Sequence, residues 1–346
     1  MNKNQRPHDK KRRSFLKMSG MLGLGAITAG TLFGANKSEA VSFNSKEYKV
    51  TQTRLAMGTY VAMTAIHPSR DEAENALGLA FEEIDRLNEI LSQYQENSEI
   101  AEINSEGVLK VPTLEVQEMV ARSLYFYHQT GGAFDITVKP LIDLYKKSFA
   151  SSQIPTEKEI DSVLKMVGSQ YINLQGKSIV MGQPGMGLTL DGIGKGYVVD
   201  RASEILTQNG VTNHLINAGG DIRTSGHAAV GRPWTIAIED PLKKKEYPDI
   251  ITMGDGAIAT SGNYEIFYDR EKLFHHIVNS KTGHSPQFLN SVSVTAKTVM
   301  DADAMATAVF VMEPKDGLRF IEGQPESECL LVGEGEKSIH SSGWQV

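Results

Sequence analysis

Residues 48–67 read YKVTQTRLAMGTYVAMTAIH, and residues 70–91 just beyond them read RDEAENALGLAFEEIDRLNEIL. In the first stretch, Val, Thr, Leu and Ala runs flank Met57-Gly58-Thr59, which predicts strand, tight bend, strand. In the second, Ala73, Leu77, Ala80, Ile84, Leu87 and Leu91 recur at three and four residues, so one apolar stripe runs along a helix. Two strands joined by a bend and then a helix begin a mixed fold, but they do not make a βαβ unit.

The remaining chain extends that pattern. A second helix fits Leu114 to Gln129, stopped by Gly131-Gly132. A third starts at Thr156, whose hydroxyl can cap while Glu159 reaches back. Short apolar segments broken by Gly and Pro between Tyr171 and Leu190 predict a small antiparallel meander. Ile193 to Gln208 is a helix closed by Asn209-Gly210. His214 to Ile216 and Leu273 to Asn279 read as strands, and helices are expected from about Asp301 to Met312 and near Lys315 to Glu322. Lys243 to Pro248 is an exposed charged loop. Strands and helices fall in uneven runs, so the fold class is α+β, mainly antiparallel sheets with flanking helices.

Outward to the N-terminus the chemistry changes. Lys10, Lys11, Arg12, Arg13 and Lys17 precede an uncharged stretch from Met18 to Ala35, which gives way to Ser38-Glu39-Ala40. This is the charged, apolar and small-residue order of an export signal. The run Arg12-Arg13-Ser14-Phe15-Leu16-Lys17 matches what the twin-arginine translocase reads. The apolar run is short of the ~20 residues that span a bilayer. The expectation is a signal over 1–40, a single domain over 41–346, and a soluble periplasmic product. Residues 1–40 carry eight Lys/Arg against Asp9 and Glu39, so their removal takes the net charge from −7 to −13. That acidity argues against nucleic-acid or anionic-membrane binding. The one cysteine, Cys329, leaves no intrachain disulfide to form.

Four constellations could carry chemistry. Asp191-Gly192-Ile193-Gly194-Lys195-Gly196 opens a helix, where backbone N–H groups and the dipole favour an anion, although a tight packing turn fits as well. The run lacks the spacing of a P-loop or of a dinucleotide fingerprint. Asn217-Ala218-Gly219-Gly220-Asp221 is either a close backbone approach to a ligand or a hairpin turn. In Asp301-Ala302-Asp303-Ala304-Met305-Ala306-Thr307, Asp303 and Thr307 share a helix face, an oxygen pair suited to Mg²⁺ unless the aspartates only cap. His275-His276 offers a general base or two satisfied strand histidines.

The order of these motifs resembles the FAD:protein FMN transferase family, the ApbE proteins, over essentially the whole chain after residue 40. Its carriers are Met57-Gly58-Thr59, Leu91-Ser92-Gln93-Tyr94 through Ser98-Glu99-Ile100 to Asn104, Gly131 to Val138, Gly192 to Tyr197, Asn217 to Asp221, Ala259 to Gly262, His276-Ile277 through Gly283, and Asp303 to Ala308. The resemblance implies Mg²⁺-dependent transfer of FMN from FAD to a Thr or Ser of a partner protein, with release of AMP. It further implies that Met57, Tyr94, Ala133, Phe134, Asp135, Thr189, Asp191, Lys195, His276 and Ile277 line the flavin nucleotide site. Lys195 and His276 would act on the phosphates and the acceptor hydroxyl, and Gly192, Asp303 and Thr307 would hold Mg²⁺. The family often has Asp where this chain has Thr189, which shifts the nucleotide contact to Thr189 or to Asp191. The Leu190-Asp191-Gly192-Ile193 variant resembles the NosX-like branch, which implies a NosR- or RnfG-like membrane redox subunit as acceptor. FAD hydrolysis to FMN and AMP, and FAD carriage without chemistry, are the competing readings.

Overall fold

The computed structural model describes residues 37–42, 46–241, 247–264, 266–269, 274–333 and 337–344. The twin-arginine run, the apolar stretch and most of the expected charged loop lie outside the described residues. The first part of the chain comprises β1 Lys37–Ser42, β2 Tyr48–Ala56, β3 Thr59–His67, α1 Arg70–Leu91, α2 Glu99–Glu106, β4 Val108–Leu109 and α3 Leu114–Gln129. Next come α4 Lys139–Ala150, α5 Glu157–Leu164, β5 Ile172–Gln175, β6 Ser178–Met181, α6 Gly194–Gln208, β7 Asn213–Ala218 and β8 Asp221–Ser225. The last part holds β9 Trp234–Ala237, β10 Ile250–Met253, β11 Gly256–Gly262, β12 Leu289–Ala296, α7 Val299–Val311, α8 Pro314–Glu322, β13 Glu328–Gly333 and β14 Ser338–His340.

Among the described residues the main sheet runs β1-β2-β3-β7-β8-β11-β12-β13-β14, antiparallel throughout, with a three-stranded sheet β4-β6-β5 and a hairpin β9-β10 beside it. The fold is therefore α+β. The expected signal boundary after Ala40 falls inside β1.

Two neighbouring hairpins end the sheet on one side. Ala56 pairs Thr59 across Met57 (φ 51°) and Gly58 (φ 73°), and Ala218 pairs Asp221 across Gly219 (φ 64°) and Gly220 (φ 103°). Positive φ at both central residues is what a two-residue turn of the right twist demands. Gly219 has a second reason, since a Cβ there would come within 2.5 Å of Thr59 Oγ1.

The helices cover one face of the sheet. Ser69 caps α1 by accepting from the Glu72 N–H at 3.3 Å, and α1 buries Ala73, Ala76, Leu77, Ala80, Phe81, Ile84, Leu87 and Leu91. Truncating one of these large side chains, as in Leu77→Ala, costs about 2–5 kcal/mol. The helix α1 packs on α6, α6 on α7, and α7 on β11 and β12. Ten of the thirteen α7 residues are buried, so its sequence is apolar nearly all round. On the other face a smaller cluster joins Ile222, Ile258 and Val332 to the β9-β10 hairpin and Trp344.

The capping box of α5 forms as expected, with both the Thr156 hydroxyl and the Glu159 carboxylate engaged. Two helices, α2 and α4, were not foreseen; both are capped or positioned by contacts rather than announced by a long stripe. The expected strand Leu273 to Asn279 is a correction. Among its described residues only His275 bridges to Phe267, and the backbone N–H of His275 goes to the Ser285 hydroxyl instead of a neighbouring strand.

Candidate functional site

One cleft collects Ala133, Phe134, Asp135, Thr189, Asp191, Gly192, Lys195, His276, Ile277, Asp303 and Thr307, together with Asp221, Thr260 and Ser261. Its space is about 710 Å³, the open mouth included. Met57 and Tyr94 do not line it: Met57 sits in the β2-β3 turn, and Tyr94 is 72% exposed with the Lys146 ammonium 5.3 Å over its ring.

The floor is the meeting of two helix starts. The residue before α6, Ile193, gives no side-chain cap, so the first-turn N–H groups look elsewhere. Asp303 supplies one partner, its Oδ2 accepting from the Gly196 N–H at 3.2 Å. A Cβ on Gly196 would lie 2.5 Å from the Val299 carbonyl oxygen, so glycine is what lets α6 and α7 touch backbone to backbone. The start of α7 is held in turn by Asp200, which accepts from Val299 and Met300 N–H at 3.0 and 2.9 Å. Burial pushes the Asp200 carboxyl up to about 6, against those two hydrogen bonds. Asp301 is not part of the floor; it forms a two-pronged ion pair with Arg122.

Asp303 and Thr307 do face the same space, one helical turn apart. The hydroxyls of Thr307 and Ser261 are 3.2 Å apart. At Gly192 an added Cβ would sit 2.9 Å from Thr307 Oγ1, so only glycine brings this turn against that hydroxyl. Carboxylate, hydroxyl and backbone carbonyl are hard oxygen donors and fit Mg²⁺ in type. Among the described residues no three His, Cys, Asp or Glu converge on a metal position. A metal at this floor would thus draw on water and substrate oxygens as well.

Lys195, in the first turn of α6, reaches Asp221 Oδ2 at 2.8 Å. Asp221 is only 2% exposed; burial pushes its carboxyl above the usual range and Lys195 pulls the other way. Thr189 and Asp191 both line the cleft, and Gln93 Nε2 ties them together by donating to Thr189 Oγ1 at 3.0 Å and Asp191 Oδ2 at 2.9 Å.

The wall is irregular chain held by side chains. Asp135 Oδ1 accepts from Thr137 N–H, Thr137 Oγ1 and Ser169 Oγ at 2.8, 2.6 and 2.6 Å, and Oδ2 accepts from Ser169 N–H at 3.2 Å. Three of those four donors converge on Oδ1, so Asp135 braces the wall with its side chain.

His275 and His276 part company. Buried His275 sets Nε2 2.9 Å from the Pro286 carbonyl and meets the Phe310 ring edge-on, and burial lowers its pKa to about 4. His276 lines the cleft with Nδ1 3.2 Å from the Ile266 carbonyl. A carbonyl only accepts, so Nδ1 carries the proton and Nε2 is the basic nitrogen. Burial lowers the His276 pKa from the ordinary imidazole value, and the Ile266 hydrogen bond opposes it.

A model of the ApbE family matches residues 57–331. The chain belongs to that family. The FAD:protein FMN transferase of Vibrio cholerae is 30% identical over 276 residues, 76% of this chain and 83% of that protein. That of Escherichia coli K12 is 28% identical over 73% of this chain and 76% of its own length. The solved flavin transferase ApbE of Vibrio cholerae shares the fold at TM-score 0.75 and 26% identity, over 88% of this chain and 98% of that one. The ApbE protein of Thermotoga maritima does so at TM-score 0.76 and 28% identity, over 88% and 97%.

Sequence reasoning about this ApbE-family chain did not name Asp221, Ser261 and Gln93 as site residues. Asp221 closes the quoted Asn217–Asp221 motif, and Ser261 and Gln93 lie in the quoted Ala259–Gly262 and Leu91–Tyr94 runs. The motifs were visible; the side-chain pairing between elements distant in sequence was not.

Proposed function

We propose that this FAD:protein FMN transferase of the ApbE family moves FMN from FAD to a Thr or Ser hydroxyl of an acceptor protein, with Mg²⁺ at Gly192, Asp303 and Thr307. The observation that carries the reading is the meeting of Lys195, Asp303, Thr307 and the start of α6 in the same cleft as His276, whose pKa burial lowers. Pyrophosphate cleavage needs its charge neutralised, and the Lys195 ammonium and the α6 N-terminus both offer that. Bound Mg²⁺ would add Lewis-acid neutralisation of phosphate oxygens. Nε2 of His276 takes the proton of the acceptor hydroxyl; its oxygen bonds to the FMN phosphorus, and the bond to the AMP phosphate breaks. Thr189 and Asp191, oriented by Gln93, both offer polar contacts to the nucleotide.

The signal read at Arg12-Arg13 supports a periplasmic reaction with the acceptor's hydroxyl outside the cytoplasmic membrane, and the resemblance to the NosX-like branch supports a respiratory subunit of the NosR or RnfG kind. Twin-arginine export carries folded chains, which would let the protein cross with FAD bound.

The test is a time course of purified protein with FAD, Mg²⁺ and a Thr-bearing acceptor polypeptide. Flavin covalently fixed to the polypeptide, with AMP released in step, is the expected result. FMN and AMP appearing as fast without acceptor would replace the reading with hydrolysis, and FAD left intact would replace it with carriage.

A further inference from the structure

Asp221 stands where a structural role explains it poorly. Its carboxylate is buried, and a buried ion pair contributes little net stability once both charges are desolvated. It is nevertheless fixed with care. The turn Gly219-Gly220 delivers it to the first position of β8 and is seated against Thr59, and Asn217 Oδ1 accepts the Gly220 N–H at 3.0 Å. The Thr260 N–H of the neighbouring strand β11 donates to it, and burial together with the nearby ammonium sets its protonation. The charged partner of this rigid carboxylate is Lys195, whose flexible stem starts in the first turn of α6 and whose side chain keeps 25% of its exposure inside the cleft.

We propose that Asp221 is a positioning residue of the transfer reaction: it anchors Lys195 Nζ from below, so that the ammonium meets the FAD pyrophosphate from a fixed point. A lysine left to itself spreads over many rotamers, and the anchor removes that freedom before substrate arrives. The benefit belongs to the transition state, where phosphate charge shifts toward the leaving AMP, and so falls on kcat more than on KM.

This inference rests on Lys195 facing the phosphates, and a double-mutant cycle separates the two. With full-length processed protein, FAD, Mg²⁺ and acceptor polypeptide, Asp221→Asn should lower kcat by about tenfold or more with a small change in the KM for FAD. In a Lys195→Met background the same change should cost nothing further, and it should raise the melting temperature by removing an unpaired buried charge. Should Asp221→Asn fold poorly, the double variant, which keeps the shape and removes both charges, still reports on the coupling. Equal losses from Asp221→Asn in both backgrounds would overturn the positioning role and leave a structural one. Full transfer by Lys195→Met would overturn instead the reading of Lys195 on which it rests.

Discussion

The floor and the wall of the cleft are built by opposite means. The floor is two regular helices that touch at Gly196 and Val299, with Asp303 and Thr307 placed by helical spacing on α7 and Gly192 by the turn before α6. The wall, from Ala133 to Val138 and from Phe274 to Val278, has little regular hydrogen bonding, and side chains hold it: Asp135 gathers Thr137 and Ser169, Ser280 donates to the Gly132 carbonyl at 2.7 Å, and Ser285 links to His275. The difference teaches that helix geometry sets the floor's polar groups, with Asp303 on the Gly196 N–H, Lys195 on Asp221 and Thr307 beside Ser261, whereas side-chain hydrogen bonds between irregular segments keep His276 and the apolar lining of the wall in place.

The comparison is sharpened first at the one wall residue assigned to chemistry. His276→Asn should reduce transfer by about a hundredfold or more while leaving FAD affinity near that of the parent, as expected for loss of a general base. Steady-state rates beside a binding titration check this; an equal loss in affinity would make His276 a binding residue. Asp135→Asn should next lower stability by about 2–3 kcal/mol, because an amide turns donors toward donors, and the melting temperature should fall by about 4–10 °C. If FAD affinity dropped with the melting temperature unchanged, Asp135 would belong with the ligand contacts and the division between floor and wall would fail there.

On the floor, Gly192→Ala should weaken Mg²⁺ activation by about tenfold, since a Cβ presses on Thr307 at a cost of about 1–3 kcal/mol. Calorimetry should show a melting temperature lower by a few degrees beside that change, with the transition still cooperative. A last expected effect concerns pH. The unfolded His275 imidazole binds a proton near its ordinary value of about 6.5, and the folded one only at about 4. Its contribution is therefore intact above the upper value and is lost as pH falls toward the lower. His275→Gln should flatten melting temperature against pH in that window, and an unchanged slope would remove His275 from the account.

The same division explains what the sequence made legible. Helical spacing announced α1, stop and cap signals announced α3, α5 and α6, and a four-residue separation put Asp303 and Thr307 on one face, because all of these report local geometry. The Gly219-Gly220 pair announced a turn. What stayed hidden depended on distant partners: Asp221 needs Lys195 on another element, Gln93 needs Thr189 and Asp191, and the segment around His276 is set by Ile266 and Ser285. Reading Leu273 to Asn279 as a strand failed for that reason, since Phe274 and Val278 serve the wall cluster with Tyr145 and Ile160 and not a sheet. Tyr94 and Met57 entered through the family resemblance, and in the structure they lie outside the cleft lining.

The central claim is that the floor is a magnesium site for pyrophosphate transfer, and a magnesium titration of FMN transfer by the parent and by Asp303→Asn tests it most directly. The account predicts that the variant requires at least about tenfold more Mg²⁺ for half-maximal rate and reaches a lower ceiling. The same midpoint and ceiling in both proteins would contradict it.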